Sequence, residues 1–228
     1  SKTSIHFENY KNQIGNFYPP LSIHIDSSYL KTLNEADIRS GIGEMAHYFF
    51  VSGEKDVSWF ESEYKLALKD QSNLAQFIKR SLEIKKSYIE IDEFDKNERI
   101  VFNYGHTFGH AIETATGYGS WLHGEAVAAG MVIAGRLSVE LGWIRAQEVD
   151  EYAGLLAPAG LPLTPPAEMD CQQFMSLMAR DKKVVDGSLR LVLLKALGDA
   201  VVSSEAGSGA IERAVAASRD RTAGTGSI

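Results

Sequence analysis

Two glycines four residues apart constrain this chain more than any other feature. They lie in Asn103-Tyr-Gly105-His106-Thr-Phe-Gly109-His110, inside a stretch whose apolar pattern is helical. Each glycine in a helix interior costs about 1 kcal/mol relative to alanine. Close approach of another backbone or a ligand is the usual compensation. The pattern therefore calls for tightly packed helices around residues 105–110. The same stretch carries chemistry. Three of the six histidines, His106, His110 and His123, fall within eighteen residues. His106 and His110 share a helical face at about 5–6 Å between Cβ atoms.

The rest of the pattern is mainly α, an α+β chain with a few short strands. Helices are expected at roughly 35–51, 56–71, 73–91, 98–117, 123–142 and 146–157, with a short one near 170–179. Asn34 and Asp56 suit N-cap positions, and Gly142 and Gly160 suit helix stops. Ser22-Ile-His-Ile-Asp26 alternates like a strand. Strands are also expected at Lys183–Val185 and Leu189–Leu194, around the turn Asp186-Gly187. Beyond residue 205 the chain is rich in Gly, Ala and Ser and reads as a frayed tail with one helical stretch near 210–218. The expected domains are 1–33, 34–205 and a flexible 206–228.

Composition changes midway. Residues 1–110 hold ten Lys and four Ala, and residues 111–228 hold three Lys and twenty Ala. Ala-rich helices account for this simply. A recombined gene is the alternative, and poor packing between helices 98–117 and 123–142 would support it.

Net charge is −7, which argues against nucleic acid as the main partner. The single cysteine, Cys171, excludes an intramolecular disulfide and fits a reducing, cytoplasmic setting. No apolar run reaches the length of a transmembrane helix, so no membrane association is expected. No signal peptide is evident, and the chain opens at Ser1-Lys2-Thr3 without Met, as a fragment would.

A lone His-x-x-x-His pair is commonly structural. Here Arg99 and Asn103 precede His106 on nearly the same face, so cation, amide and imidazoles come together. Two imidazoles plus a carboxylate make an open, catalytic kind of zinc site. Glu44, in Gly41-Ile-Gly-Glu44-Met-Ala-His47, is a candidate carboxylate; a helix-surface glutamate is the competing reading. Glu113 and Glu125 compete for the same position. Basic residues gather at Lys2 and Lys11, at Lys85-Lys86 and at Lys182-Lys183, where with Arg99 they suit a phosphate or carboxylate.

Asn103-Tyr-Gly-His-Thr-Phe-Gly-His-Ala-Ile-Glu113 and His123-Gly-Glu-Ala-Val-Ala-Ala-Gly-Met131 resemble the sugar-phosphate cyclase family that includes 3-dehydroquinate synthase. Ser1-Lys-Thr3 through Lys11-Asn12-Gln-Ile-Gly15-Asn-Phe17, Tyr29-Leu30-Lys31-Thr32, Asp92-Glu93 and Asp181-Lys-Lys183 also match its motifs. The resemblance implies a multihelical metal-binding domain preceded by a remnant, residues 1–33, of an NAD-binding domain. It implies zinc, or cobalt in its place, on Glu44, His106 and His123. It places His110 beside the substrate phosphate in proton transfer, and Lys85, Arg99, Asn103 and Lys182 on the substrate. Lys2, Lys11 and Asn12 would lie at the cofactor–substrate junction, and Tyr29, Leu30, Lys31 and Thr32 would touch NAD.

The implied reaction converts 3-deoxy-arabino-heptulosonate 7-phosphate to 3-dehydroquinate and phosphate, in aromatic amino acid biosynthesis by the shikimate pathway. It is a lyase reaction using NAD and a metal, in a homodimer acting on a small anionic sugar phosphate. The alternatives are another sugar-phosphate cyclase or a metal-dependent alcohol dehydrogenase of the glycerol dehydrogenase type. Three departures stand out. Most of the nucleotide-binding half is absent, so the chain alone is expected to be inactive. His47 stands where the family often has Lys. His6 and Glu8 replace the usual Asn and Pro.

Overall fold

The computed structural model describes residues 2–8, 10–117, 119–179, 184–185 and 188–219. The chain is mostly helical. An amino-terminal hairpin, β1 (Lys2–Phe7) and β2 (Tyr10–Phe17), pairs antiparallel with Ile5 opposite Ile14. A 3-10 helix, Ser27–Thr32, follows. Then come α1 (Glu35–Val51), α2 (Glu54–Ala67) and α3 (Gln71–Ile91). A second 3-10 helix, Glu98–Asn103, leads into α4 (His106–Thr116), α5 (His123–Glu140) and α6 (Ala146–Leu156). After α7 (Cys171–Met178) lie the short strands β3 (Val184–Val185) and β4 (Ser188–Leu189). The hairpin β5 (Leu191–Ala196) and β6 (Asp199–Ser203) precedes α8 (Ser208–Ala217).

Helix α5 runs through the centre. Val127, Ala128, Ala129, Met131, Val132, Ile133 and Leu137 are fully buried, so nearly every face of it is covered. Helices α1, α4 and α8 and strand β5 pack around it. A helix apolar on all sides is stable only when enclosed this way. Its small side chains let neighbours come close. A Cβ on Gly109 would lie 3.1 Å from the Ala126 carbonyl, and one on Gly130 would lie 2.9 Å from the Gly109 nitrogen. Helices α4 and α5 thus interlock through glycines across the composition break. The seam is tightly packed, which counts against a recombined gene.

Several expectations need correction. The stretch 98–117 is not one helix. Gly105 has φ +77°, in the left-handed region, and ends the 3-10 turn before α4 starts at His106. A Cβ there would also lie 2.8 Å from the Met131 nitrogen. Gly105 is therefore a turn residue, while Gly109 alone is a helix-interior glycine of the expected kind. Asp56 does not cap α2: Gly53 does, and Asp56 sits in the first turn, where Arg80 Nε donates to it at 3.0 Å. Residues 22–26 form no strand, because no described strand pairs with them. The opening strands run over 2–17 instead. The helical stretch expected near 210–218 is α8, which buries Ile211, Ala214 and Val215. The turn at Asp186-Gly187 lies outside the described residues. Among the described residues, no helix is long and apolar enough to cross a membrane.

Candidate metal centre and substrate cavity

Three elements deliver three donors to one point. His106 is the first residue of α4, aimed by the Gly105 turn. His123 is the first residue of α5. Glu44 comes from the middle of α1. Oε2 of Glu44 lies 3.4 Å from His106 Nε2 and 3.4 Å from His123 Nε2. Donors of a tetrahedral zinc with arms of about 2.1 Å are about 3.4 Å apart.

Hydrogen bonds on the far side of each ring fix which nitrogen faces inward. His106 Nδ1 lies 3.2 Å from the Tyr104 carbonyl, which can only accept, so Nδ1 carries the hydrogen. His123 Nδ1 lies 3.0 Å from Glu113 Oε2, with the same consequence. When Nε2 is unprotonated, each ring turns its lone pair toward the carboxylate. Three acceptors facing one another repel unless a cation sits among them. The Glu44 side chain is 34% exposed, yet its Oε2 is buried without a hydrogen-bond partner among the described residues. The residues therefore fit a divalent, nitrogen- and oxygen-preferring metal.

Electrostatics support this. Burial would raise the Glu44 carboxyl, but His47, His106 and His123 outweigh burial and hold it well below the usual range. Burial would lower His123, but Glu113 and Glu44 raise it to about 9. A proton and a metal ion compete for the same Nε2. Burial pushes His47 down to about 3, against the opposing pull of the Glu44 carboxylate. That ring is 1% exposed and has neither nitrogen hydrogen-bonded to a described residue. It packs edge-on against His106 at 4.8 Å between centroids.

The donors form one wall of a cavity of about 440 Å³. Lys85 of α3 and Arg99 and Asn103 of the 3-10 helix line it, as do His110, Tyr48 and Asp95. Arg99 is buried; its Nη1 donates to the Glu93 carbonyl at 3.0 Å. Its loop is held by Asp92, whose carboxylate accepts from the backbone N–H groups of Lys96, Asn97 and Arg99. The Asn103 amide donates to the Ile100 carbonyl at 3.0 Å. Lys85 Nζ sits 5.4 Å over the Tyr48 ring, and burial lowers its pKa. His110, one turn along α4, stacks 5.7 Å from the His123 ring.

Other candidates lie elsewhere. Glu125 is not among the clustered donors: it caps α5 through the Leu122 N–H at 3.1 Å and pairs with Arg39 at 2.9 Å. Tyr29 and Thr32 lie on the exposed 3-10 helix, and Leu30 and Lys31 line a separate recess with Ala67–Asp70. None of these four lines the metal-site cavity. Lys182 lies outside the described residues, as do the side chains of Lys2, Lys11 and Asn12. Sequence reasoning missed Tyr48 and Asp95 as cavity residues. It also weighed Glu113 only as a ligand; its spacing of three from His110 and seven from His106 was the available signal.

Fold and donor set define a class: a helical domain on the cyclase fold, in which three candidate metal donors line one wall of a cavity shared with Lys85 and Arg99. A solved 2-epi-5-epi-valiolone synthase from Streptomyces hygroscopicus, with NAD+ and Zn2+ bound, superposes with TM-score 0.85 at 22% identity, over 96% of this chain and 61% of that one. A 2-deoxy-scyllo-inosose synthase complexed with carbaglucose-6-phosphate, NAD+ and Co2+ superposes at 0.81 with 23% identity, over 94% and 61%. At such identities these establish the fold.

The chain belongs to the 3-dehydroquinate synthase family: the family's carboxy-terminal model matches residues 41–184 and its amino-terminal model residues 1–40. It is 46% identical to the 3-dehydroquinate synthase of Pseudomonas aeruginosa PAO1 over 205 residues, 90% of this chain and 56% of that protein. The Teredinibacter turnerae 3-dehydroquinate synthase is 45% identical over 90% of this chain and 57% of its own length. The chain thus spans a little over half the length of these relatives.

Proposed function

We propose that this chain is the metal- and substrate-binding part of a 3-dehydroquinate synthase, acting on 3-deoxy-arabino-heptulosonate 7-phosphate. The observation that carries the proposal is a single cavity in which the Glu44–His106–His123 triangle faces Lys85, Arg99 and Asn103. A metal site alone would suit many reactions. A metal site opposite a buried and a half-buried cation suits an anionic polyol.

Glu44, His106 and His123 would hold the metal; Zn2+ fits an imidazole–carboxylate set, and Co2+ is the substitute the solved cyclases suggest. When bound, the metal supplies a Lewis acid for the substrate's hydroxyls and NAD supplies a hydride acceptor. The remaining roles fall to the chain's own side chains. Arg99 and Lys85 offset the carboxylate and phosphate charge in a site where few other charges compete. Both are held in place before substrate arrives, Arg99 by the Glu93 carbonyl and Lys85 against Tyr48. Asn103 orients a hydroxyl at the cavity wall. His110, beside the metal but outside the donor triangle, moves a proton at the phosphate end. Lys182 serves the substrate, Lys2, Lys11 and Asn12 serve the cofactor–substrate junction, and Tyr29–Thr32 serve NAD. We assign residues 1–33 to the nucleotide domain and 34–205 to this one. Isolated, the chain binds metal and substrate but does not turn over.

Calorimetric titration of the zinc-loaded chain with 3-deoxy-arabino-heptulosonate 7-phosphate tests this. Saturable binding should weaken about 10- to 100-fold in Arg99→Ala, the loss of one or two charge-assisted hydrogen bonds. Equal binding of the dephosphorylated sugar, which keeps its carboxylate, would refute the phosphate part of this assignment. Fused behind the amino-terminal domain of the Pseudomonas aeruginosa relative, the chain should release phosphate without net NADH. Net NADH accumulation would mark a dehydrogenase instead.

A further inference from the structure

A histidine ligates a metal at Nε2 only if the proton sits on Nδ1 and the ring is turned correctly. For His106 the backbone settles both, through the Tyr104 carbonyl. For His123 a side chain does. We propose that Glu113 is a positioning residue for the metal centre: its carboxylate holds the Nδ1–H of His123 and thereby fixes the tautomer and plane of that ring. The inference rests on the metal reading above and extends it to a residue outside the donor triangle.

The geometry is specific. Glu113 Oε2 is 3.0 Å from His123 Nδ1, while Glu44 Oε2 is 3.4 Å from Nε2 on the other edge of the same ring. Glu113 is only 6% exposed, and a buried carboxylate costs several kcal/mol in desolvation. Such a group persists where its hydrogen bonds matter. The backbone around His123 is already fixed by Ser40 Oγ, which accepts from the Gly124 N–H at 3.0 Å, and by the Arg39–Glu125 pair. Those contacts leave the imidazole free to rotate about its own side-chain bonds. The Glu113 contact removes that freedom. Helix α4 therefore sets two ligands, His106 directly and His123 through Glu113.

A competing arrangement exists, because His110, Glu113 and His123 also offer donors within 4.8 Å of one another. There Glu113 would itself be a ligand. The two differ in what glutamine can replace. The amide side chain of Glu113→Gln keeps an oxygen to accept the Nδ1–H but is a poor metal ligand.

The test uses the 228-residue chain with Zn2+ in chelator competition and Co2+ by absorption, with metal-free melting measured for every variant. Glu113→Ala should weaken zinc binding about 10- to 100-fold and shift the Co2+ bands. Glu113→Gln should recover binding to within about tenfold of the unmodified chain, with bands near the original. Binding in Glu113→Ala within twofold of the original would overturn the proposal. So would loss in Glu113→Gln as complete as in His106→Ala, which would make Glu113 a ligand. If Glu113→Ala does not fold, Glu113→Leu, which fills the space but accepts no hydrogen bond, takes its place with the same expected loss and the same overturning result. An unmodified chain that binds no zinc refutes the metal reading and this inference together. Zinc binding indifferent to Glu113 refutes the inference only.

Discussion

Substituting Gly124 by alanine should damage the metal centre without touching a ligand. Helices α1 and α5 cross at Gly43 and Gly124, next to Glu44 and His123. A Cβ on Gly124 would lie 2.6 Å from the Ser40 carbonyl carbon and 2.9 Å from the Glu44 nitrogen, with the Ser40 oxygen nearer still. Ordinary contact begins at 3.4 Å, so the helices must part by about 0.8 Å, 3.4 less 2.6, at the least. Backbone cannot swing aside as a side chain can. Overpacking of this kind costs about 1–3 kcal/mol, against which alanine's better helix propensity returns about 1. The net expectation is a loss of up to about 2 kcal/mol. Metal sites tolerate only about 0.2 Å in ligand distance, so zinc affinity should fall by at least tenfold. Gly41→Ala is the control: it sits in α1 with nothing within 4 Å and should stabilise by about 0.5–1 kcal/mol. Urea unfolding with and without zinc, together with zinc titration, measures both. Gly124→Ala with the original unfolding midpoint and zinc affinity would refute the reasoning.

Further expectations concern the site and its support. Glu44→Gln should lose stoichiometric zinc in equilibrium dialysis, whereas retained zinc would remove Glu44 from the ligand set. His110→Ala should keep zinc but slow phosphate release by the fused enzyme about 10²- to 10⁴-fold, the usual worth of a proton-transfer group; unchanged release would deny it that role. Asp92 accepts three backbone N–H bonds, first of them from Lys96, which lower its carboxyl below the ordinary value. Its contribution to stability is then present above the unfolded value of about 3.9 and is lost as pH falls through the lower folded one. The difference in unfolding midpoint between the original chain and Asp92→Ala should shrink below about pH 4; a gap that is constant with pH would show that the carboxylate charge is not what holds the Arg99 loop.

Much of this architecture can be read from the residues, and the exceptions have physical causes. Helices α1, α3 and α6 follow apolar periodicity and caps such as Asn34, whose side chain accepts from the Asp37 N–H, while α5 shows as a near-continuous apolar run. Periodicity cannot show that Gly105 takes a positive φ, because a glycine inside an apolar repeat looks like an interior one; so one expected helix is two elements. Alternation at Ser22–Asp26 suggests a strand, but a strand needs a partner, and none of the described strands lies there. The donors Glu44, His106 and His123 are far apart in sequence, and the pattern offers Glu44 as the candidate carboxylate with Glu113 and Glu125 as competitors. Tertiary contacts separate the three: Glu44 meets both Nε2 atoms, Glu113 the far side of His123, and Glu125 the α5 terminus. His47 reads as a polar helix residue and is almost fully enclosed, a matter of neighbours that no local pattern encodes.

The central claim is that one carboxylate and two imidazoles from three helices bind a single metal ion. X-ray absorption of the zinc-loaded chain, with metal quantified per chain, tests it most directly. One zinc per chain is expected, with two imidazole nitrogens and carboxylate or water oxygens at about 2.0–2.2 Å. The His110→Ala spectrum should be unchanged, and one imidazole should be lost in His123→Ala. Loss of an imidazole in His110→Ala, or an unaltered spectrum in His123→Ala, would contradict the account.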